Sequence, residues 1–156
     1  MKRIKEGYIL IPLIVAAVPL VSASSTMANT DWYQSLVQPA FAPPSFLFGI
    51  VWTILYILIA ISMLLVWLRV KKKDRRVIAG LFCVNLFANA IWSPVFFIEH
   101  QLGLAVFIAA VIALTAWLLI HRLWLHERTA AWLLVPYALW TTFATVLAAS
   151  LWFLNL

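Results

Sequence analysis

The sequence predicts an all-α membrane protein, a five-transmembrane-helix bundle, and three observations carry that reading. Of 156 residues, 66% are hydrophobic and 10% charged, with a mean hydropathy of +1.04, whereas about a quarter of the residues in soluble domains are charged. The apolar residues gather into five runs, each long enough to cross about 30 Å of hydrocarbon as a helix of about 20 residues. All 11 Lys and Arg residues fall on one side of a chain threaded five times.

The runs cover about 7–27, 46–68, 77–98, 102–120 and 130–154, with an outer loop at about 28–45, making the whole chain one membrane domain. Lipid offers the backbone no partner, so each run is expected to close its own hydrogen bonds as a helix. In the first run, Pro12 and Pro19 are tolerable where neighbouring helices re-satisfy the freed carbonyls. The same stretch, with its basic start and Val21-Ser22-Ala23, also has the layout of a signal peptide cleaved after Ala23. Pattern alone leaves both readings of residues 1–23 open. The second run starts after Pro43-Pro44, a helix-start signal, and ends at a basic stretch. The third ends at Glu99-His100. In the fourth, Ala105, Ala109 and Ala113 recur every four residues and permit close helix packing. The fifth begins after Arg128 and runs nearly to the carboxyl terminus.

The basic residues orient the bundle. Lys2, Arg3 and Lys5 precede the first run; Arg69, Lys71, Lys72, Lys73, Arg75 and Arg76 follow the second; Arg122 and Arg128 separate the last two. The positive-inside rule makes that side cytoplasmic, with the amino terminus inside and the carboxyl terminus outside a cell membrane. The sequence pI of about 9.9 therefore reads as attraction to anionic lipid, not to nucleic acid, for which the basic stretch is short and lacks a recognition fold.

The outer loop holds WYQSLVQPAFAPPS at 32–45. Trp32 and Tyr33 suit the headgroup level, and Pro39, Pro43 and Pro44 restrict the backbone, so the loop is expected to be a stiff cap. Helical spacing places Asn85, Asn89, Trp92 and Phe96 on one face of the third run, Trp52 with Tyr56 on the second, and Tyr137, Trp140 and Ala144 on the fifth. At 1.5 Å per residue, Trp52 and Trp92 fall in the outer half and Trp140 near the middle. Three aromatic stripes thus converge beneath the cap. An aromatic belt accounts for Trp67, Trp124 and Trp132 at the cytoplasmic side and Trp152 at the outer side, but not for the deeper tryptophans. Interhelical hydrogen bonding and ligand contact are equal readings for the two asparagines.

Acid–base catalysis finds no support. Glu6, Asp31, Asp74, Glu99 and Glu127 all lie outside the runs. The single Cys83 cannot form an intrachain disulfide, no Cys/His spacing suits a structural metal, and His121 and His126 are poorly spaced for shared ligation. His100 at the outer rim could ligate a haem iron, although a lone surface histidine usually binds nothing.

Taken together, Trp32-Tyr33-x-x-Leu36-x-x-Pro39 with Pro43-Pro44, Trp52-Thr53-x-Leu55-Tyr56, Asn89-x-x-Trp92-x-Pro94-x-Phe96-Phe97 and Pro136-Tyr137-x-x-Trp140-x-x-Phe143-Ala144-Thr145 resemble the TspO/MBR family. This is the tryptophan-rich sensory protein, translocator protein or peripheral-type benzodiazepine receptor family. The resemblance implies a five-helix bundle with a pocket opening toward the loop after the first helix, which favours residues 7–27 as a real span. It implies a flat hydrophobic ligand, a tetrapyrrole such as protoporphyrin IX or haem, with no required cofactor, and a homodimer for which Ala79 and Cys83 offer a small-residue face. Porphyrin sensing, transport and slow light-dependent breakdown are the activities it suggests, the last with Trp52 and Trp140 as the reacting side chains. Another hydrophobic ligand such as a sterol, or a membrane adaptor without catalysis, stands as the alternative. The implied ligand site comprises Trp32, Phe41, Pro43, Trp52, Tyr56, Asn85, Asn89, Trp92, Phe96, Tyr137, Trp140 and Ala144. Departures from the family pattern are Phe41 for a usual Trp, Gln38 for a common Lys, Asn85 for Gln and Ala148 for Asn. The tail LWFLNL also lacks the Tyr and Arg of the proposed cholesterol motif.

Overall fold

The computed structural model describes the backbone of residues 2–156 and the side chains of residues 7–26, 29 and 31–156. Six helices follow one another: α1 (Lys2–Ala28), α2 (Thr30–Ser35), α3 (Ser45–Arg69), α4 (Lys72–Phe97), α5 (Leu102–Trp124) and α6 (Arg128–Leu154). Five of them are long and apolar enough to cross a membrane, so the protein is a multi-pass helical membrane protein. The side chains of Lys2, Arg3, Lys5 and Glu6 lie outside the described residues.

Each long helix extends past its apolar run. The reason is that backbone hydrogen bonds continue into the interface, where Lys and Arg reach water from within the helix. The clearest case is the basic stretch after the second run, which is not a loop: only Val70 and Lys71 connect α3 to α4, and Lys72 to Arg76 form the first turns of α4. The outer loop is likewise shorter than expected. α1 continues to Ala28, and α2 occupies the start of the cap.

The spans close into a ring in the order α1, α4, α5, α6, α3 and back to α1. α1 packs between α3 and α4, which barely touch although they are consecutive. Residues 7–26 are therefore a wall of the bundle, with Ile11, Val15 and Val18 buried. Against them Gly7 allows a close approach: a Cβ there would fall on the Trp67 indole. Arg75 covers the same ring, its guanidinium carbon 4.4 Å from the ring centroid and its Nη1 donating to the Trp67 carbonyl over 2.6 Å. Trp67 is thus a packed joint between α1, α3 and α4.

Ala105, Ala109 and Ala113 are buried on α5, as expected for close packing, and Ala130, Ala131 and Ala138 are buried on α6. Removing such small surfaces from lipid brings backbones close, where dispersion does the binding. The main core runs from Val15 and Ile59 through Phe82 to Leu119 and Leu134. A smaller core under α2 gathers Phe96, Phe97, Ala105, Leu147 and Leu151.

Candidate functional site

The converging stripes resolve into four groups at different depths. Deepest is a polar knot in the ring interior. Asn85 and Asn89 are 1% and 4% exposed. Asn85 Nδ2 donates to the Thr115 hydroxyl at 2.8 Å and to the Ile112 carbonyl at 3.0 Å. Asn89 Nδ2 donates to the Tyr137 hydroxyl at 2.6 Å, and that hydroxyl donates to Asn85 Oδ1 at 2.6 Å. The donors of both amides are thus engaged in interhelical hydrogen bonds across α4, α5 and α6. Thr115, on α5, is a member that no motif indicated.

Beside the knot lies an aromatic wall. Trp52 sits 5.5 Å from Tyr56 and edge-on to Tyr137 at 6.3 Å, centroid to centroid. One turn outward on α3, Phe48 meets Trp140 edge-on at 5.8 Å. Trp140 packs 5.4 Å from Phe143, and Phe41 of the loop stands edge-on over Phe143 at 6.2 Å. These four residues form a lid group. Phe48 lies four residues before Trp52 on the same face and was legible by spacing. Phe143 stands in the quoted motif, three residues beyond Trp140. Pro43 and Ala144 are half-buried near this group in sequence.

Trp32, Trp92 and Phe96 are brought together elsewhere, as the dock for α2. Trp92 stacks on Phe96 at 4.9 Å and turns its Nε1 to the Ala105 carbonyl at 3.0 Å, toward α5. Trp32 is edge-on to Phe96 at 5.5 Å and stacked on His100 at 3.9 Å. His100 holds a positive φ of 53°, which ends α4 sharply and presents its ring to Trp32. Burial among these rings raises the Tyr33 phenol pKa, with the Gln38 hydrogen bond opposing it.

The loop is tied down at one point by an amide. Asn155, just beyond α6, accepts from the Val37 N–H at 2.9 Å and donates to the Val37 carbonyl at 3.1 Å and the Leu151 carbonyl at 2.8 Å. No local signal in the sequence marks Asn155, because its partner lies 118 residues away.

Two features bear on ligand chemistry. A groove of about 520 Å³ runs between Val51, Leu55 and Leu58 of α3 and Pro136, Trp140 and Phe143 of α6, within the range of about 300–1,000 Å³ usual for small-molecule clefts. Among the described residues, Trp140 Nε1 is the buried side-chain polar atom left without a partner. An unpartnered buried donor costs about 1–3 kcal/mol, and this N–H is sealed within the packing, so an acceptor reaches it only where the contacts around Trp140 open.

A sequence model of the TspO/MBR family matches residues 8–153. The chain is 39% identical over 146 residues to the tryptophan-rich protein TspO of Archaeoglobus fulgidus, covering 92% of this chain and 93% of that one. Against the tryptophan-rich protein TspO of Bacillus cereus the identity is 30% over 151 residues, covering 97% and 98%. Similarity extends to the translocator protein of Homo sapiens, 33% identical over 129 residues and covering 78% and 73%. With the five-span ring and the tryptophan motifs in register, the chain belongs to the TspO/MBR family.

Proposed function

We propose that the protein binds a flat hydrophobic ligand, a tetrapyrrole of the protoporphyrin IX or haem class, against α3 and α6 beneath the loop, and that it acts in porphyrin sensing, transport or light-dependent breakdown. The observation that carries this reading is Trp140: a partly buried indole at the groove, packed with Phe48 and Phe143, whose N–H has no partner. Aromatic faces suit a broad apolar disc, and pyrrolenine nitrogens or carboxylates are acceptors for that N–H. Trp52 and Tyr56 do not line the groove but pack against Tyr137 on the interior face of α3, and they supply a second aromatic surface to a ligand that enters past it. Polar orientation by Asn85 and Asn89 is reached through Tyr137, since their donors are engaged in the knot. At the outer mouth, Gln38 and the loop backbone replace a basic side chain as partners for the ligand's carboxylates.

A porphyrin titration followed by tryptophan quenching tests the reading. Trp52→Phe and Trp140→Phe should each weaken saturable binding by about 0.5–1.5 kcal/mol. Trp132→Phe should not, because Trp132 is 61% exposed on the outer surface of α6 near the basic end. Trp67 is the poorer control, being packed against Gly7 and Arg75. Illumination then separates the activities: porphyrin consumed with turnover in the parent, and less in the Trp52→Phe/Trp140→Phe double variant, marks an enzyme. Saturable binding without product marks a sensor or carrier. Equal affinity in all variants would remove the site.

We also propose a homodimer through the outward face of α4, where Ala79 and Cys83 are exposed. Amino terminus inside and carboxyl terminus outside the cell membrane is the orientation that the basic end of the bundle supports.

A further inference from the structure

The seam between α3 and α6 is pinned at one end. Near the basic end, buried Ser62 Oγ donates to the Ala130 carbonyl over 2.9 Å, and Arg69 meets Glu127 at 3.5 Å. Beyond that pin, toward the outer end, the facing side chains around the groove are apolar apart from the Trp140 indole. Backbone features there favour bending. Thr53 Oγ1 bonds back to the Gly49 carbonyl at 2.7 Å, a bond that often bends helices, and the space around Gly49 is open. Pro136 removes one bond from the α6 ladder. A seam held by hydrogen bonds at one end and by non-directional contacts at the other opens first at the second.

That opening leads into the bilayer. Ile54 and Leu139, at the lip of the groove, are 53% and 57% exposed midway along spanning helices, so they face hydrocarbon. Behind them, Trp140 and Phe143 belong to both the groove and the lid group. The aqueous route past the loop is held more firmly. Opening it means releasing Val37 from Asn155 and lifting Phe41 from Phe143, with α2 docked alongside by Trp32.

We propose that the α3–α6 seam beyond the Ser62–Ala130 bond is a lateral gate, through which a flat apolar molecule dissolved in the bilayer reaches Trp140 without crossing the loop. The ligand in this statement rests on the tetrapyrrole reading; the gate itself rests on the seam. Ile54 and Leu139 are its lip, and the Ser62–Ala130 bond is its fixed end.

Two measurements on the full chain in phosphatidylcholine vesicles test it. In the first, protoporphyrin IX is predissolved in the bilayer and its transfer to and from the protein is timed in the parent, Ile54→Trp, Leu139→Trp and Asn155→Ala. Both blocking variants should slow association and dissociation together, by about tenfold, whereas damage to the site alone would speed dissociation. Asn155→Ala should leave both rates within about twofold of the parent. In the second, lipids brominated at mid-chain are used without porphyrin, and Trp140 emission is taken as parent minus Trp140→Phe. Brominated chains should quench that difference, and less so in Leu139→Phe. Rates unchanged in both blocking variants but raised in Asn155→Ala would put passage at the loop and overturn the gate, as would Trp140 emission untouched by brominated chains. If porphyrin fails to bind the parent saturably, the tetrapyrrole reading falls by itself, and the brominated-lipid result still decides the gate.

Discussion

The Tyr137 hydroxyl on α6 donates to Asn85 Oδ1 on α4 over 2.6 Å while accepting from Asn89 Nδ2 at the same distance. One phenol therefore closes a hydrogen-bonded circuit that ties two helices of the ring, and Asn85 extends it to Thr115 on α5.

Removing that hydroxyl should loosen the bundle from its centre. Interhelical hydrogen bonds in membranes are worth about 0.6 kcal/mol each, and leaving buried amide groups short adds to the loss. Tyr137→Phe is expected to cost about 1–2 kcal/mol, read from unfolding in mixed micelles. Retention of full stability would show the circuit to be idle.

Asn155 fastens the loop to α6 through both polar groups of Val37. With two bonds of about 1 kcal/mol lost, Asn155→Ala should speed hydrogen exchange at the Val37 amide by about tenfold or more. Exchange in the middle of α5 should not change. Asn155→Asp keeps the acceptor and loses the donor, so it should fall between the two.

Gly7 and Gly49 make a matched pair. A Cβ at Gly7 meets the Trp67 ring, against which Arg75 also packs, while a Cβ at Gly49 meets nothing within 4 Å. Gly7→Ala should destabilise by about 1–3 kcal/mol through overpacking. Gly49→Ala should be neutral or stabilising by about 0.5–1 kcal/mol, as expected for a helix interior. Thermal unfolding of both variants in one detergent checks the contrast.

Topology is open to reporter fusions. The α3–α4 and α5–α6 connections meet at one end through the Arg69–Glu127 and Asp74–His126 contacts, and α6 ends at the other. Reporters after Lys73 and after Leu156 should therefore fall on opposite faces, the first cytoplasmic. Activity of both in the cytoplasm would contradict the orientation.

Association through α4 predicts that Ala79→Phe shifts the particle toward monomer in detergent, since a bulky ring prevents close approach of small-residue faces. Mass measured by light scattering is the readout. An unchanged mass would exclude this face.

Composition, five apolar runs and one-sided basic charge were enough to determine a five-span helical membrane protein, because lipid leaves a spanning backbone no choice but helix. The tryptophan motifs sufficed for the family. Helical spacing also showed correctly that Trp52 and Tyr56 share a face, as do Asn85 and Asn89, because that periodicity is local. Spacing says nothing of which face meets which. Only the ring order, with α1 between α3 and α4, sends Trp92 toward Ala105 and parts it from Trp52. Likewise, only tertiary packing decided that the two asparagines share Tyr137 and that Trp140 lines a groove while its N–H stays buried without a partner. Asn155 reaching Val37 is the extreme case. A hydrogen bond closed by the fold leaves no mark in the residues around either end.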